Sequence, residues 1–370
     1  MNIVHLTYDD PQNPWCGGGG SIRTYEVNCR LAARHRITVI TGTWPGAKDE
    51  IRDEVHYVRI GNPKSYTISR LTFALQSHWV LHKYPCDLVV NDFSGYSPVF
   101  PCFFSNFPVI TVKHHIMGRH SFGKNSLMGI FPFLFEKIDL RMSKNFISGN
   151  PSLTTYIQQK FHGTKKIQTI FNGISSELFK LEPEEEPYIL FVGRMDIYMK
   201  GLDILIEAFA KISERNIILK IAGISKPNDK ESLLQQAKRL GVASRVEFLG
   251  YVDESTKGEL LRKCMFVCMP SRFEGWGIVA IESAAVGKAV IGTKITGLSD
   301  AIVNEKTGIL VLPENSEELA GAINRLLENP SLRHTMGANG RERARQFNYD
   351  EIAKKQEMYY YSMISSNKNN

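Results

Sequence analysis

The sequence has 370 residues, of which 43% are hydrophobic and 22% are charged, and its formal net charge is +7. This length and composition predict a soluble globular protein of two ordinary-sized domains with ample core material. The same composition excludes a largely disordered chain. No apolar run approaches the roughly 18 residues that a membrane-spanning helix needs. We also expect no signal peptide.

The charge is unevenly distributed along the chain. Residues 1–180 carry a net charge of +8, whereas residues 181–370 carry a net charge of −1. A basic first half suits an anionic acceptor or a membrane surface. Ordinary solvated charge is an equally good interpretation, because no dense block of like charge occurs.

Short apolar runs alternate with helix-like segments along the whole chain. The runs are NIVHLTY, ITVITG, CDLVVND and FPVITVKH, then PYILFVGR, IILKIAG, RVEFLG, CMFVCMPS, KAVIGT and GILVL. Continuous Val/Ile/Leu runs are typical of strands that are covered on both faces. The repeated strand–helix–strand pattern predicts an α/β fold of two Rossmann-like, doubly wound domains facing a central cleft.

Four consecutive glycines, in the stretch WCGGGGSIRTYEV, follow the first predicted strand and precede a helix-like run. Glycine at this place lets a ligand come close to the backbone. The stretch is not a dinucleotide fingerprint, because Arg23 stands where the third glycine is required. It is not a phosphate-wrapping loop either, since that loop ends in Gly-Lys-Ser/Thr.

The aromatic stretch GIFPFLFEKIDLRMSKNF also carries Lys137, Arg141 and Lys144. One interpretation is contact with a membrane or a lipid-linked acceptor. The other is a first-domain helix whose aromatic residues pack in the core. We favour core packing, because a proline interrupts the stretch.

The domain boundary is predicted near FNGISSELFKLEPEEEPYILF. The dipeptide Asn172-Gly173 is typical of a turn. The segment EPEEEP is an acidic connector bounded by prolines that leads into a new strand. We therefore predict a first domain over residues 1–171, a linker over 172–187 and a second domain over 188–349.

Two basic residues flank the loop after the first strand of the second half. In YILFVGRMDIYMKGLDILIEAFA, Arg194 leaves the strand end and Lys200 precedes an amphipathic helix. Two cations beside the N-terminus of a helix form a site for a diphosphate. The alternative, a surface pair of basic residues, would be favoured for this loop taken alone.

The six cysteines are scattered rather than clustered. Cys264 and Cys268 lie in the strand-like run RKCMFVCMPS, where both would point to one face. The neighbourhood offers no further metal ligands, so we expect buried free thiols in a reducing compartment.

Two carboxylates follow in PSRFEGWGIVAIESAAVGKAVIGT. Glu274 comes after a strand, the sequence GWG forms a flexible turn, and a helix-like run then carries Glu282. The turn allows both carboxylates to face one crevice, where they suit hydrogen bonds to sugar hydroxyls. The alternative is that Glu274 offsets a helix dipole and that Glu282 is solvated.

With these motifs in this order, the chain resembles the family 4 glycosyltransferases, the large retaining group with the GT-B fold. The resemblance rests on the glycine-rich loop, VITVKHH, FNGISSELF, VGRMDIYMKGLD and the Glu–seven residues–Glu element EGWGIVAIE, the most specific of the five. It extends to FNYDEIAKKQEMYY, which implies a C-terminal helix over about residues 350–366 that crosses back onto the first domain. The first domain would bind the acceptor and the second domain the nucleotide-sugar donor.

The resemblance implies roles for individual residues. Arg194 and Lys200 would neutralise the donor diphosphate, Glu282 would hold the ribose hydroxyls, and Glu274 would hold the transferred sugar. The catalytic residues would be His114, Arg194, Lys200 and Glu274. The donor site would comprise Gly18, Gly19, Gly193, Arg194, Lys200, Gly223, Tyr251, Val252, Glu274, Gly275, Trp276, Gly277, Ile278 and Glu282.

The strand FPVITVKH ends in two histidines, and the resemblance places one of them at the donor sugar near its anomeric centre. His114 is the first choice and His115 the second. His115 is also a candidate acceptor contact, together with Asp92 after CDLVVN. Which histidine belongs to the active site stays open at this point.

The resemblance implies a hexosyltransferase that moves a sugar from a UDP- or GDP-sugar to a hydroxyl acceptor with retention of configuration. We expect it to act in surface polysaccharide, lipopolysaccharide or glycolipid synthesis, on a sugar or lipid-linked glycan acceptor. The alternative is a nucleotide-sugar epimerase of GT-B-like fold, which would convert the donor without any acceptor.

Arg194 and Lys200 can replace a cation at the diphosphate, and no Asp-x-Asp site with a metal-binding context is evident. We therefore expect no metal and no cofactor. We also expect no nucleic-acid partner and a cytoplasmic monomer or weak homo-oligomer. Peripheral association with the inner face of the cell membrane is left open.

Overall fold

The computed structural model describes residues 1–116 and 129–368. The chain forms two compact units, Met1–Gly173 with Tyr349–Asn370 and Ile174–Asn348. Each unit contains one sheet whose strands alternate with helices along the chain. The fold is therefore α/β, with two Rossmann-like domains, as the sequence predicts.

The described part of the first unit contains an eight-stranded sheet in the order β3-β4-β2-β1-β5-β6-β7-β8, parallel except for the edge strand β3. Its strands are β1 Asn2–Leu6, β2 Arg36–Gly42, β3 Glu50–Arg52, β4 Val55–Ile60, β5 Leu88–Asp92, β6 Val109–Lys113, β7 Asn145–Ser148 and β8 Lys166–Thr169. Its helices are α1 Gly19–Ala32, α2 Tyr66–Leu81, α3 Ile130–Met142, α4 Pro151–Lys160 and α13 Tyr349–Lys368. The four predicted strands are β1, β2, β5 and β6; the other four were not predicted.

The second unit contains a six-stranded parallel sheet in the order β11-β10-β9-β12-β13-β14. Its strands are β9 Tyr188–Val192, β10 Ile218–Ala222, β11 Val246–Gly250, β12 Phe266–Met269, β13 Val290–Thr293 and β14 Gly308–Val311. Its helices are α5 Ile197–Lys200, α6 Leu202–Ala210, α7 Pro227–Arg239, α8 Glu254–Lys263, α9 Ile278–Ala285, α10 Leu298–Ala301, α11 Ser316–Glu328 and α12 Pro330–Ala344. All six predicted strands of this half are confirmed.

The central strands are buried, which is why they appear in the sequence as continuous apolar runs. Every residue of β9 and of β12 is buried. The direction in which the strands are added reverses between β1 and β5 in the first sheet, and between β9 and β12 in the second. In open parallel sheets, ligands bind beyond the carboxyl ends of the strands at this reversal.

The division between the units differs from the predicted boundary. Residues 174–187, which we expected to form a linker, belong to the second unit. The acidic connector is held there by ion pairs: Glu184 with Arg262, Glu185 with Arg333 and Glu186 with Lys263. These ion pairs fix a segment whose composition alone predicts a loose connector.

The helix α13 belongs to the first unit although it follows the second unit in the sequence. Tyr349, Ile352 and Tyr360 on α13 join a core cluster with Val27 and Leu31 of α1. Gly173 allows a close approach at the start of this helix, since a Cβ atom there would lie 2.3 Å from the Tyr349 ring.

The core packing that we favoured for the aromatic stretch is wrong for most of its apolar residues. The buried residues of α3 are Pro132, Glu136, Asp139 and Leu140. The exposed large apolar residues are Ile130, Phe131, Leu134, Ile138 and Met142. The helix turns a polar residue inward because Asp139 forms a buried ion pair with Lys113 of β6, at 2.9 Å. The proline does not break the helix, because it falls in the first turn, where its missing N–H group costs no hydrogen bond.

Cys264 and Cys268 are fully buried free thiols, as predicted. Burial raises the pKa of the Cys264 thiol to about 12. Among the described helices, none is long and apolar enough to span a membrane.

Candidate active site

Three glycines occupy the carboxyl ends of neighbouring strands in the second unit. Gly193 follows β9, Gly223 follows β10 and Gly250 ends β11. The N–H group of Gly223 donates to the carbonyl oxygen of Gly250 at 2.7 Å. Gly223 has φ +144°, and a Cβ atom on it would lie 1.9 Å from the carbonyl oxygen of Gly193. Only glycine fits there. The surface beside the strand reversal is therefore formed by backbone atoms without side chains.

The loop after β9 carries both predicted phosphate ligands. Arg194 is exposed, and its side chain makes no hydrogen bond or ion pair with any residue that the structure describes. Lys200 ends the short helix α5, which begins with the Asp196 side chain accepting from the N–H group of Met199 at 3.0 Å. Gly201 follows in the left-handed conformation, where a Cβ atom would lie 2.0 Å from the carbonyl oxygen of Pro270. The loops after β9 and β12 therefore pack directly on each other.

Lys200 forms an ion pair with Glu274 across these two loops. The Lys200 side chain is 18% exposed and the Glu274 side chain 17%. The structure thus joins a residue predicted to bind phosphate with one predicted to bind the sugar. If Glu274 only offset the dipole of a helix, its ion pair with Lys200 would have no explanation.

Glu282 is buried on α9 rather than solvated, so the alternative interpretation of this residue is wrong. It is 7% exposed, and its Oε1 atom accepts from Lys257 Nζ at 2.9 Å. Its Oε2 atom is buried and has no hydrogen-bond partner among the described residues. Burial raises the pKa of Glu282, and the charge of Lys257 opposes this effect. A buried carboxylate oxygen without a donor is a ready acceptor for a ligand hydroxyl.

Lys257 was not predicted from the sequence. It lies on α8 and also pairs with Glu254, three residues earlier, at 2.7 Å. The spacing of Glu254 and Lys257 is an ordinary pattern on helix surfaces. Nothing in that pattern indicates the second, buried partner.

The turn between the two carboxylates is held in place by packing of its side chain and by a close approach to α10. Gly275 begins the turn, and Trp276 is 3% exposed, with its ring packed on Phe347 at 5.4 Å between centroids. Gly277 has φ +70° and begins α9, so that Ile278 is the first residue of the helix. A Cβ atom on Gly277 would lie 2.6 Å from Leu298 Cδ2 of α10. The side chain of Trp276 therefore anchors the turn that joins Glu274 to α9.

The remaining predicted donor contacts follow β11. Tyr251 is 73% exposed, and Val252 beside it is half-buried. Both come directly after Gly250, which has φ +71°. The structure places them on the same edge of the sheet as Gly193 and Gly223.

In the first unit, the glycine-rich stretch leads into α1 at the corresponding strand reversal. Gly18 precedes the helix, and the Ser21 hydroxyl contacts the Gly18 amide at 3.1 Å and its carbonyl oxygen at 2.9 Å. Gly19 and Gly20 form the first turn. A Cβ atom on Gly20 would lie 3.4 Å from His114 Nε2, whereas one on Gly18 would meet nothing within 4 Å. The glycine that His114 contacts is therefore Gly20, which we did not select.

His114 and His115 have different surroundings. His115 is exposed, whereas His114 lies against α1 with its Nε2 atom 4.0 Å from Asp92 Oδ1. Burial lowers the pKa of His114 to about 4, and Asp92 opposes this effect. The His114 imidazole is therefore neutral at neutral pH. It can offer one donor and one acceptor nitrogen.

Asp92 lies beneath His114 and is mostly buried. Its Oδ2 atom contacts His5 Nε2 at 3.3 Å and accepts from the Thr24 hydroxyl. Its Oδ1 atom has no hydrogen-bond partner among the described residues. Burial acts to raise the pKa of Asp92, but His5, His114 and Thr24 hold it well below its usual range. His5 was missed, although a histidine within a buried strand such as NIVHLTY is itself a signal.

No group of three or more His, Cys, Asp and Glu side chains within residues 1–116 and 129–368 is placed to hold a metal ion. The strand reversal of the second unit carries cations, carboxylates and bare backbone, and that of the first unit carries a neutral imidazole beside a carboxylate.

Comparison with known proteins matches both halves of the chain to glycosyltransferase families. The model of the family "Glycosyltransferase Family 4" matches residues 17–178, and the model "Glycosyl transferases group 1" matches residues 176–343. Two uncharacterized glycosyltransferases of Methanocaldococcus jannaschii are 35% and 34% identical to this chain over 51% and 62% of its length. The matches cover 52% and 61% of those two relatives.

Solved structures share the fold over the whole chain. Sucrose-phosphate synthase from Thermosynechococcus elongatus has a TM-score of 0.85 and 24% identity, with 99% of this chain and 100% of that chain covered. Anabaena HepE, in complex with UDP and glucose, has a TM-score of 0.74 and 19% identity, with 98% and 100% covered. The two family models together extend over residues 17–343, and the chain is therefore a member of the group 1, family 4 glycosyltransferases, with the GT-B fold.

Proposed function

We propose that this protein transfers a sugar from a nucleotide-diphosphate sugar, of the UDP or GDP type, to a hydroxyl acceptor with retention of configuration. The observation that carries the proposal is the strand reversal of the second unit. There Arg194, which has no ion-pair partner among the described residues, lies near the Lys200–Glu274 ion pair. The glycines Gly193, Gly223 and Gly250 add a surface of backbone atoms at the same strand ends. Anabaena HepE, which shares this fold, has been crystallised with UDP-glucose.

Each part of a donor has a group that suits it. Arg194 and Lys200 are assigned to the diphosphate, and the free Oε2 atom of Glu282 to the ribose hydroxyls. Glu274, freed from Lys200 when a phosphate takes over the cation, is assigned to the transferred sugar. His114, which is neutral, is assigned to a hydroxyl of that sugar.

The bond between the anomeric carbon and the β-phosphate oxygen breaks, and the diphosphate leaves with additional negative charge. Arg194 and Lys200 stabilise this charge in the same way that an oxyanion hole stabilises a tetrahedral intermediate. The acceptor oxygen attacks the anomeric carbon on the face that the diphosphate leaves, and a phosphate oxygen takes the acceptor proton. Since two side chains supply the positive charge, the proposed reaction uses no metal ion or cofactor.

We place the reaction in the synthesis of a surface polysaccharide, lipopolysaccharide or glycolipid, with a sugar or lipid-linked glycan as acceptor. The proposed location is the cytoplasm, at the inner face of the cell membrane. The proposed state is a monomer or weak homo-oligomer without a nucleic-acid partner.

Replacement of either cation tests the phosphate assignment. We expect Arg194→Ala and Lys200→Ala each to lower the transfer rate by about 10²–10³-fold, because the leaving charge loses a fixed partner. Lys238→Ala is the matched control, since Lys238 is an exposed cation on α7 of the same unit. The measurement is release of the nucleoside diphosphate in the presence of acceptor. Wild-type activity in either site variant would overturn the assignment.

The donor is identified by the rise in melting temperature that a bound ligand produces. UDP, GDP and ADP, each with and without a sugar, are compared at equal concentration. The selected nucleotide sugar is then incubated without acceptor. A transferase leaves it intact or hydrolyses it slowly, whereas conversion to an isomeric sugar would identify an epimerase.

A further inference from the structure

We propose that the first unit docks on an anionic lipid membrane through an apolar surface formed by α2, residues 93–107 and α3. We call it the α2–α3 surface. The inference rests on the proposed function, which places the protein at the inner face of the cell membrane. It identifies the surface through which the protein would bind there. The exposure of the apolar side chains, their positions on the helices and the surrounding charge support it.

The apolar residues of α3 form one exposed arc. Phe131 is 63% exposed, Leu134 46%, Ile138 40% and Met142 42%. At about 100° per residue, these side chains and Ile130 span roughly 120° of the helix circumference. The buried residues Glu136 and Asp139 lie on the other side. A helix with an apolar arc turned to solvent is suited to lie in a membrane interface.

The outer face of α2 shows the same pattern. Leu71 is 57% exposed, Leu75 66% and Trp79 63%, and their spacing places them in one row along the helix. Trp has the amphipathic ring that is enriched at membrane–water interfaces. Two amphipathic helices of one unit therefore leave apolar faces without a protein partner among the described residues.

Residues 93–107 connect the two helices into a single surface. Phe104 packs on His78 of α2 at 4.5 Å between ring centroids. Phe100 packs on Phe135 of α3 at 6.2 Å, and its neighbour Phe103 is 60% exposed. The segment thus fills the space between α2 and α3 and adds an exposed aromatic ring of its own.

The charge of this surface is of one sign. Lys83, Lys137, Arg141 and Lys144 are exposed, and none of them pairs with a carboxylate among the residues that the structure describes. The sequences of α2 and of residues 93–107 contain no Asp or Glu. On α3, Lys137 and Arg141 stand at one edge of the apolar arc, where long cationic side chains reach lipid phosphates while their stems cover apolar surface.

This charge pattern decides between a membrane and a second copy of the chain. Two copies joined through this surface would bring unpaired cations together, and like charges facing each other disfavour association. An anionic bilayer instead offers a hydrocarbon boundary for the apolar arc and phosphates for the cations. Each cation near such a surface contributes about fivefold to the partition coefficient.

Cosedimentation of the full-length protein with vesicles tests the proposal. The vesicles contain either phosphatidylcholine alone or equal parts of phosphatidylcholine and phosphatidylglycerol. We expect binding to the anionic vesicles, weakened by added salt, and far less binding to the neutral ones. Lys137→Gln with Arg141→Gln should lower the partition coefficient about 25-fold. The charge-matched control is Arg36→Gln with Lys48→Gln, two exposed cations at β2 and before β3.

The apolar arc is tested in the same way. Leu134→Ser with Ile138→Ser should lower the partition coefficient by about tenfold or more, since both side chains lose their burial in the bilayer. Leu312→Ser with Ile51→Ser is the control, because it makes the same two changes at residues that are 54% and 77% exposed elsewhere. Equal loss in a site variant and its control would overturn the proposal. So would a dimer in solution, measured by light scattering, that binds no vesicles and that Leu134→Ser with Ile138→Ser dissociates.

The nucleotide-induced rise in melting temperature is recorded on the same preparations. We expect all four double variants to keep it, because none of them changes a donor-site residue. A wild-type protein that a nucleotide stabilises but that does not bind the anionic vesicles would refute the docking surface alone. Vesicle binding by a wild-type protein that no nucleotide stabilises would refute the donor assignment alone.

Discussion

The ion pair between Lys200 and Glu274 affects how variants of the donor site are interpreted. Each side chain is the only charged partner of the other in the part of the chain that the structure describes. Removal of Lys200 therefore also leaves a half-buried carboxylate without its cation, which costs binding energy of its own. Arg194 has no such partner among the described residues, so its replacement reports more directly on the phosphate.

The low pKa of His114 predicts how stability depends on pH. His114 has a pKa of about 4 when folded, against an ordinary value of 6.5. Between these values the unfolded chain binds more protons, so stability rises with pH and is lost as the pH falls from about 6.5 to about 4. The loss amounts to at most about 3 kcal/mol. We expect urea unfolding at several pH values to show this slope, and His114→Gln to flatten it.

The control for this experiment is His82→Gln, because His82 is exposed at the end of α2. It should keep the wild-type slope. Asp92 adds to the slope only at the acid end of this range, below about pH 5, because the unfolded chain begins to protonate this carboxyl there while His5, His114 and Thr24 hold its folded pKa lower despite burial. An unchanged slope in His114→Gln would contradict the assignment of a neutral imidazole.

At the scale of elements, the start of α1 depends on which of its glycines is replaced. Gly20 faces His114, and a Cβ atom there would already contact the imidazole at 3.4 Å, so the two further methyl groups of Gly20→Val would crowd it. Gly18 is in extended backbone with open space around it, and Gly18→Val keeps the fold. We expect Gly20→Val to lower the free energy of unfolding by about 1–3 kcal/mol, as overpacking does, and Gly18→Val to change it by less than about 0.5 kcal/mol. Thermal melts of both variants test this. Equal melting temperatures would show that His114 moves aside freely.

The elements also show how far sequence reasoning reaches. The six strands of the second unit were predictable, because buried parallel strands leave continuous apolar runs. The strands β3 and β4 were missed because each is short or only partly buried. The orientation of α3 was not predictable from its aromatic residues. It depends on the ion pair between Asp139 and Lys113, which lie 26 positions apart in the sequence and whose pairing no local pattern indicates.

For the candidate site, the sequence indicated which residues follow strands but not which of them contact each other. Arg194, Lys200 and Glu274 could be named because parallel strands bring their carboxyl ends to one edge. The pairs Lys200–Glu274 and Lys257–Glu282 required the structure, since each joins residues from separate elements. The same holds for His5 beneath Asp92.

At the scale of the whole molecule, the two units are not independent segments of chain. The first unit is completed by α13, which follows the entire second unit in the sequence. Val27 and Leu31 of α1 share one buried core cluster with Tyr349, Ile352 and Tyr360 of α13. The first unit therefore reaches its final core only after the whole chain has been synthesised.

The attachment of α13 depends on a buried charge. Arg23 of α1 is 0% exposed, and its Nη2 atom donates to Gln356 Oε1 at 2.6 Å. Gln356→Leu keeps the volume but removes this acceptor, so we expect the free energy of unfolding to fall by about 3 kcal/mol. Gln356→Glu offers the guanidinium a carboxylate instead and should cost less than about 1 kcal/mol. Urea unfolding compares the two. If both variants lost the same stability, the fit of the side chain, rather than the Arg23 charge, would hold α13 in place.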